Sequence, residues 1–269
     1  EWEKTYGGSV WDVGYSILEL KNGDFGIIGF SNSPGISSGN TDIILLRIDK
    51  YGNKIWLKAF GNKVYPNHEW GYDFLELQDE SLILVGSRDR YDSEKNNNLI
   101  IRTDKNGVQL WEKEIITQDN IDEKAFSIVE DDLGAIFICS SINSSINREI
   151  YMPQIIKMDR FGNIEWQRKY NSNSRSYHQF DIAKSINDNI LIIGSSLSNS
   201  SLGEKSDVFL TVIDKKGNII KTNSFGSLDE DDWGWSGYQK SNGQIMIVGS
   251  TKSLNASLFD ILLISLVSE

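Results

Sequence analysis

Four carboxylic acids, Asp12, Glu69, Glu123 and Asp232, each stand 17 residues before a small residue near the end of an apolar segment, at Gly29, Gly86, Ser140 and Gly249. Tyr177 holds the fifth such place, before Gly194. One position further on come Val13, Trp70, Lys124, His178 and Trp233, and two positions after those come Tyr15, Tyr72, Phe126, Phe180 and Trp235. Carboxylates accept hydrogen bonds from hydroxyl groups while an indole stacks on the apolar face of a sugar ring, so the set suits a polyhydroxylated ligand. The same oxygens at Asp12, Glu69, Glu123 and Asp232 suit a calcium ion, and an ammonium group suits an indole face. Each acid can equally cap its own loop by accepting backbone N–H bonds. Spacing leaves these readings open. The expected ligand-binding residues are Trp11, Asp12, Glu69, Trp70, Tyr177, His178, Asp232, Trp233 and Trp235, and the aromatic column that begins at Tyr15 reads as packing between neighbouring repeats.

Catalytic motifs are sparse. His68 and His178 are the two histidines and fall in different columns, with no His-x-x-x-His or cysteine pair to complete a zinc site. No Gly-x-Ser-x-Gly elbow or glycine-rich phosphate loop occurs. Paired carboxylates could serve a glycosidase, but catalysis usually breaks repeat symmetry and these acids sit at a repeated position. No catalytic residue is therefore assigned. The leading expectation is a non-catalytic module that recognises a glycan or a protein partner. A glycoside hydrolase-like enzyme and a protein-docking scaffold are the alternatives.

Charge narrows the partners. A net charge of −11 repels phosphate backbones and anionic lipid, so nucleic acid is not an expected partner. No run approaches the length of a membrane span, and Glu1-Trp2-Glu3-Lys4 is not a signal peptide. The single cysteine, Cys139, lies in an apolar run with no cation beside it and reads as a small buried hydrophobe. A monomer that needs no cofactor, calcium aside, is expected. An extracellular or cell-surface location is expected, with the cytoplasm as the other possibility.

What positions these residues is a repeat. Asp49-Lys50-Tyr51-Gly52-Asn53 returns around Asp104, Asp159 and Asp214, each 55 residues after the last, and Trp56, Trp111 and Trp166 keep the same period. Each unit holds four short segments rich in β-branched and aromatic residues, separated by Gly- and Asn-bearing turns and lacking helical periodicity. Four antiparallel strands per unit make one blade of a β-propeller. Five copies cover residues 8–61, 62–116, 117–170, 171–225 and 226–269, the last completed by 1–7, because Trp2-Glu3-Lys4-Thr5-Tyr6-Gly7 copies Trp56-Leu57-Lys58-Ala59-Phe60-Gly61. The expected fold is a single all-β, five-bladed propeller, with Trp2–Gly7 closing the last blade against Asp260–Val267. The unit Trp-x-Lys-x-aromatic-Gly, then an apolar strand ending Gly-Ser, then Ile-Asp-x-x-Gly-Asn resembles the repeat propellers of bacterial and archaeal surface or secreted proteins. That resemblance spans nearly the whole chain and implies fold more than activity. In such a blade the longer, varied loops share one face, where specificity can be written without disturbing the scaffold.

Overall fold

A computed structural model describes residues 1–38, 40–61, 67–90, 93–117, 121–143, 151–170, 180–200, 203–227, 230–252 and 259–267. The chain is all-β, with five antiparallel sheets of sequential strands. The first holds β1 (Asp12–Glu19), β2 (Phe25–Ser31), β3 (Asp42–Ile48) and β4 (Lys54–Phe60), and the second β5 (Glu69–Glu76), β6 (Leu82–Arg90), β7 (Ser93–Thr103) and β8 (Gln109–Ile115). The third holds β9 (Glu123–Glu130), β10 (Ile136–Asn143), β11 (Tyr151–Met158) and β12 (Ile164–Lys169), and the fourth β13 (Asp181–Lys184), β14 (Ile190–Ser200), β15 (Gly203–Ile213) and β16 (Ile219–Phe225). The fifth has three strands, β17 (Asp232–Gln239), β18 (Ile245–Thr251) and β19 (Asp260–Leu266). Two compact units divide the chain, Glu1–Ala125 and Phe126–Glu269.

Middle strands such as β3 read as near-continuous apolar runs because both of their faces are covered. In the first unit Ile28, Ile43, Leu45 and Phe60 of the first sheet pack with Phe74, Leu84, Leu99 and Ile101 of the second, and Trp56 lies against them. In the second unit Phe137, Cys139 and Ile155 meet Phe180, Ile192 and Phe209, with Trp166 alongside. Packing between sheets is thus the task of Trp56 and Trp166, and Cys139 is fully buried, its thiol pushed well up by burial. The repeated turn is self-capped: the Asp49 carboxylate accepts the N–H of Tyr51 at 2.9 Å, the N–H of Asn53 at 2.8 Å and the Asn53 side-chain amide at 2.9 Å. Gly52 sits there at φ 74°, where a side chain is strained.

The fifth sheet departs from the four strands expected of it. Residues 1–8 form no strand, and among the described residues β19 pairs with β18 alone. Within the first unit, however, the N-terminal segment does what a fourth strand does elsewhere. The Tyr6 hydroxyl donates to Gly52 O at 2.6 Å and Lys4 Nζ to Asn53 Oδ1 at 2.8 Å. In the second unit Tyr170 donates to Gly217 O at 3.0 Å and Arg168 to Asn218 Oδ1 at 3.1 Å. The repeat therefore extends to Trp2–Gly7 in its contacts with the next turn, though not in strand pairing.

Candidate functional site: exposed aromatics on bulged first strands

Each acid of the repeated column is engaged beside its own strand. Asp12 accepts the Ser31 hydroxyl at 2.6 Å, the Ser33 hydroxyl at 2.8 Å and the Gly8 N–H at 2.8 Å. Burial pushes its carboxyl up, but the donors from Ser31, Gly8 and Ser33 outweigh it and hold Asp12 below the ordinary carboxylate value. Glu69 is fully buried and takes Arg88 Nε at 2.7 Å. The same guanidinium reaches Glu112 at 2.6 Å and Glu114 at 3.5 Å. Burial pulls Arg88 down, yet Glu112 and Glu69 together keep it above its ordinary value. Glu123 accepts Asn98 Nδ2 at 2.8 Å, the Thr117 hydroxyl at 3.0 Å and the Thr117 N–H at 3.1 Å, and Asp232 accepts the Ser227 N–H at 2.9 Å. Among the described residues no three His, Cys, Asp or Glu side chains gather as metal ligands would. Asp12, Glu123 and Asp232 thus pin the loop that enters their first strand, while Glu69 pairs with the facing strand.

The aromatic column three residues after the acids is where the fold spends a structural irregularity. Pairing of β1 with β2 slips between Gly14 and Ser16, that of β5 with β6 between Gly71 and Asp73, and that of β17 with β18 between Gly234 and Ser236. The extra residues are Tyr15, Tyr72 and Trp235. A bulge re-aims the side chain it carries, and here it aims an aromatic. The bulge also drives the carbonyl of Val13, Trp70 or Trp233 onto the facing strand, where a Cβ on Gly29, Gly86 or Gly249 would stand 1.8, 2.0 or 2.0 Å from that oxygen. The glycine facing each of these three bulges is therefore a consequence of the bulge, whereas Gly194 makes room for the Phe180 ring.

Two of the bulged rings reach solvent. Tyr15 is 47% exposed and rests on Tyr72 with centroids 5.3 Å apart and on Phe30 at 5.9 Å. Trp235 is 37% exposed, its Nε1–H held by the Ser250 hydroxyl at 3.1 Å and its ring edge-on to Trp233 at 6.2 Å. Trp233 is stacked on Phe259 at 4.2 Å, and Lys252 Nζ lies 4.4 Å from the Phe259 ring centre. Tyr72 is inward, its phenol pushed up to about 12 by burial, with Tyr15 and Asp122 adding to the shift. Phe180 takes the core position of this column, so the packing role expected for the column holds there.

Trp11 is the most exposed tryptophan, at 71%. Its backbone is clamped on both sides, N–H to Asn32 Oδ1 at 2.9 Å and O from Asn32 N–H at 3.0 Å. Trp70 is half-buried and stacked on His68 at 5.7 Å, and His68 Nδ1 lies 3.1 Å from the Thr41 hydroxyl. Tyr177 and His178 lie outside the described residues.

Sequence reasoning missed the column four residues after the acids: Ser16, Asp73, Ser127, Asp181 and Ser236. In the first unit Ser16 donates to Asp73 at 2.8 Å. In the second, Asp181 accepts from Ser127 at 2.8 Å, Ser236 at 2.7 Å and the Gly237 N–H at 3.3 Å. Burial pushes the Asp181 carboxyl above its ordinary value against the pull of those donors. The strict alternation of Ser and Asp at one repeat position was the available signal.

No protein-family model matches the chain, and no curated protein matches it in sequence. Solved structures do match. An α-L-arabinanase from Penicillium chrysogenum complexed with arabinobiose aligns with TM-score 0.58 and 14% identity over 92% of this chain and 75% of its own. A polysaccharide lyase, ulvan lyase bound to -[GlcA(1-4)Rha3S]-, gives 0.62 and 10% over 93% and 64%. The endo-arabinase from Bacteroides thetaiotaomicron gives 0.51 and 11% over 95% and 94%. At these identities the likeness is one of fold. The five sheets match five-bladed β-propeller structures, a fold this chain shares with carbohydrate-active enzymes.

Proposed function

We propose that this protein is a non-catalytic recognition module that binds a neutral glycan through exposed aromatic side chains at the entry ends of its first strands. The observation that carries the reading is the presentation of Trp11, Tyr15 and Trp235: each is solvent-facing, with the Trp11 backbone clamped by Asn32, the Tyr15 ring resting on Tyr72 and the Trp235 indole hydrogen-bonded to Ser250. Leaving an indole in water forgoes about 1.5–3 kcal/mol of burial, and a rigid exposed ring surrenders little entropy when a ligand covers it. Sugar rings offer the apolar face that such a surface fits. The arabinobiose-bound arabinanase lends the reading support at the level of ligand class.

Binding is favoured over bond cleavage because the candidate acids are already committed. Glu69 forms a buried ion pair, and Glu123 and Asp232 are buried against their own loops. A general acid needs a free carboxyl within reach of the glycosidic oxygen. Resemblance of the repeat to surface and secreted propellers supports a site of action outside the cytoplasm.

A glycan array that includes arabino-oligosaccharides tests this. The wild type should retain at least one neutral glycan, and Trp11→Ala, Tyr15→Ala and Trp235→Ala should each weaken retention about tenfold, which is about 1.4 kcal/mol. Equal signals from the wild type and the triple variant would reject the proposal. Turnover of any retained oligosaccharide would transfer the case to the glycosidase alternative.

A further inference from the structure

Three exposed turns of this chain carry the pair Asn-Gly: Asn22-Gly23, Asn106-Gly107 and Asn242-Gly243. All three glycines have positive φ, at 84°, 73° and 88°, and all three glycine N–H groups donate back across the turn, to Leu20 O at 2.8 Å, Asp104 O at 3.0 Å and Lys240 O at 2.9 Å. The backbones are therefore alike. The asparagine side chains are not. Asn22 is held twice by Asp24, Nδ2 to the carboxylate at 2.7 Å and Oδ1 from the N–H at 3.2 Å. Asn242 Oδ1 accepts the Gln244 N–H at 3.1 Å. The Asn106 side chain has no partner among the described residues; only its backbone N–H is bonded, to Asp104 at 2.9 Å.

We infer that Asn106 is a site of spontaneous modification, deamidating ahead of the two other Asn-Gly turns. The Gly107 nitrogen attacks Asn106 Cγ and gives up its proton, the bond from Cγ to the amide nitrogen breaks, and ammonia leaves. The cyclic imide so formed takes up one water and opens at either carbonyl, giving aspartate or isoaspartate. Water is the sole co-reactant, and no side-chain catalyst is needed. A tethered amide must first break its hydrogen bonds to bring Cγ onto the glycine nitrogen. The unheld Asn106 has no such step, and glycine offers no Cβ to obstruct the attack.

The location gives the reaction a structural consequence. A Cβ at Gly107 would stand 2.9 Å from Lys58 Cγ and 3.0 Å from the Trp56 ring, so the turn is seated against the fourth strand of the preceding sheet. Arg47 also donates to Lys105 O in the same turn, at 2.9 Å. Isoaspartate adds a backbone methylene at this seat.

The test is incubation of the intact protein at mildly alkaline pH, with proteolytic peptides followed by mass spectrometry over time. The one-dalton gain should appear at Asn106 severalfold faster than at Asn22 or Asn242, and Asn106→Gln should lose that fast phase and hold its melting temperature on ageing. Equal rates at the three turns, or a faster rate at Asn22, would overturn the inference. Asn22 freed by Asp24→Ala should approach the rate of Asn106, and failure of that variant to accelerate would equally refute it.

Discussion

Arg88 and Glu69 are a buried ion pair whose value lies in being complete. Guanidinium and carboxylate have both left water, and the guanidinium also reaches Glu112 and Glu114. Arg88→Met should destabilise the protein by about 3–5 kcal/mol, measured by urea unfolding, because it removes the cation beside the buried Glu69 carboxylate. Asp181 behaves in the opposite sense, since burial raises its carboxyl above the ordinary value. A raised carboxyl means that the folded state holds its proton more readily than the unfolded one. Its contribution to stability is therefore full below the unfolded value and is lost as pH rises through the folded one. Thermal melts over the acidic range should show this falling contribution in the wild type and a flatter profile in Asp181→Asn. A profile of unchanged slope in that variant would refute the assignment.

Elements enter through the bulged first strands. Gly29, Gly86 and Gly249 accept a neighbouring carbonyl where any Cβ would overlap it, and that overlap cannot be relieved by a rotamer change. Gly249→Ala should force β17 to shift from β18, at a cost of about 1–3 kcal/mol or more. It should also redirect Trp235, so that retention of glycan falls further than the loss of stability accounts for. Circular dichroism at matched folded fraction, beside the binding assay, separates the two effects. Glu80 and Asp188 show a related choice in the turn between first and second strands, where other repeats place glycine. Both take positive φ, at 63° and 60°, and both pair with a lysine, Lys105 or Lys215.

At the scale of the whole chain, a net charge of −11 decides which partners are welcome. The far field attracts cations and repels polyanions, while a neutral glycan feels neither. Glycan retention should therefore change little from low to molar salt, and a nucleic acid should not bind at any salt concentration. A steep salt dependence measured by titration would point to a charged ligand instead. Among the described residues no helix is long and apolar enough to cross a membrane.

The 55-residue period, the four strands of each of the first four repeats and the self-capped Asp-x-x-Gly-Asn turn were all legible in the residues, because each depends on contacts within one short stretch. Trp11 and Trp235 were legible as candidates for the same reason: position in the repeat places them at the entry of a first strand. Burial was not. Asp12 and Glu69 occupy one column and read alike, yet one carboxylate is capped by Ser31, Ser33 and Gly8 while the other pairs with an arginine on the neighbouring strand. Likewise Tyr15, Tyr72 and Phe180 share a position, but only packing between sheets decides that the first is left in solvent, the second half-enclosed and the third made core. Local sequence sets where a side chain leaves the backbone, and the surroundings that decide its protonation and exposure arrive from strands about 20 to 60 residues away once the chain has folded.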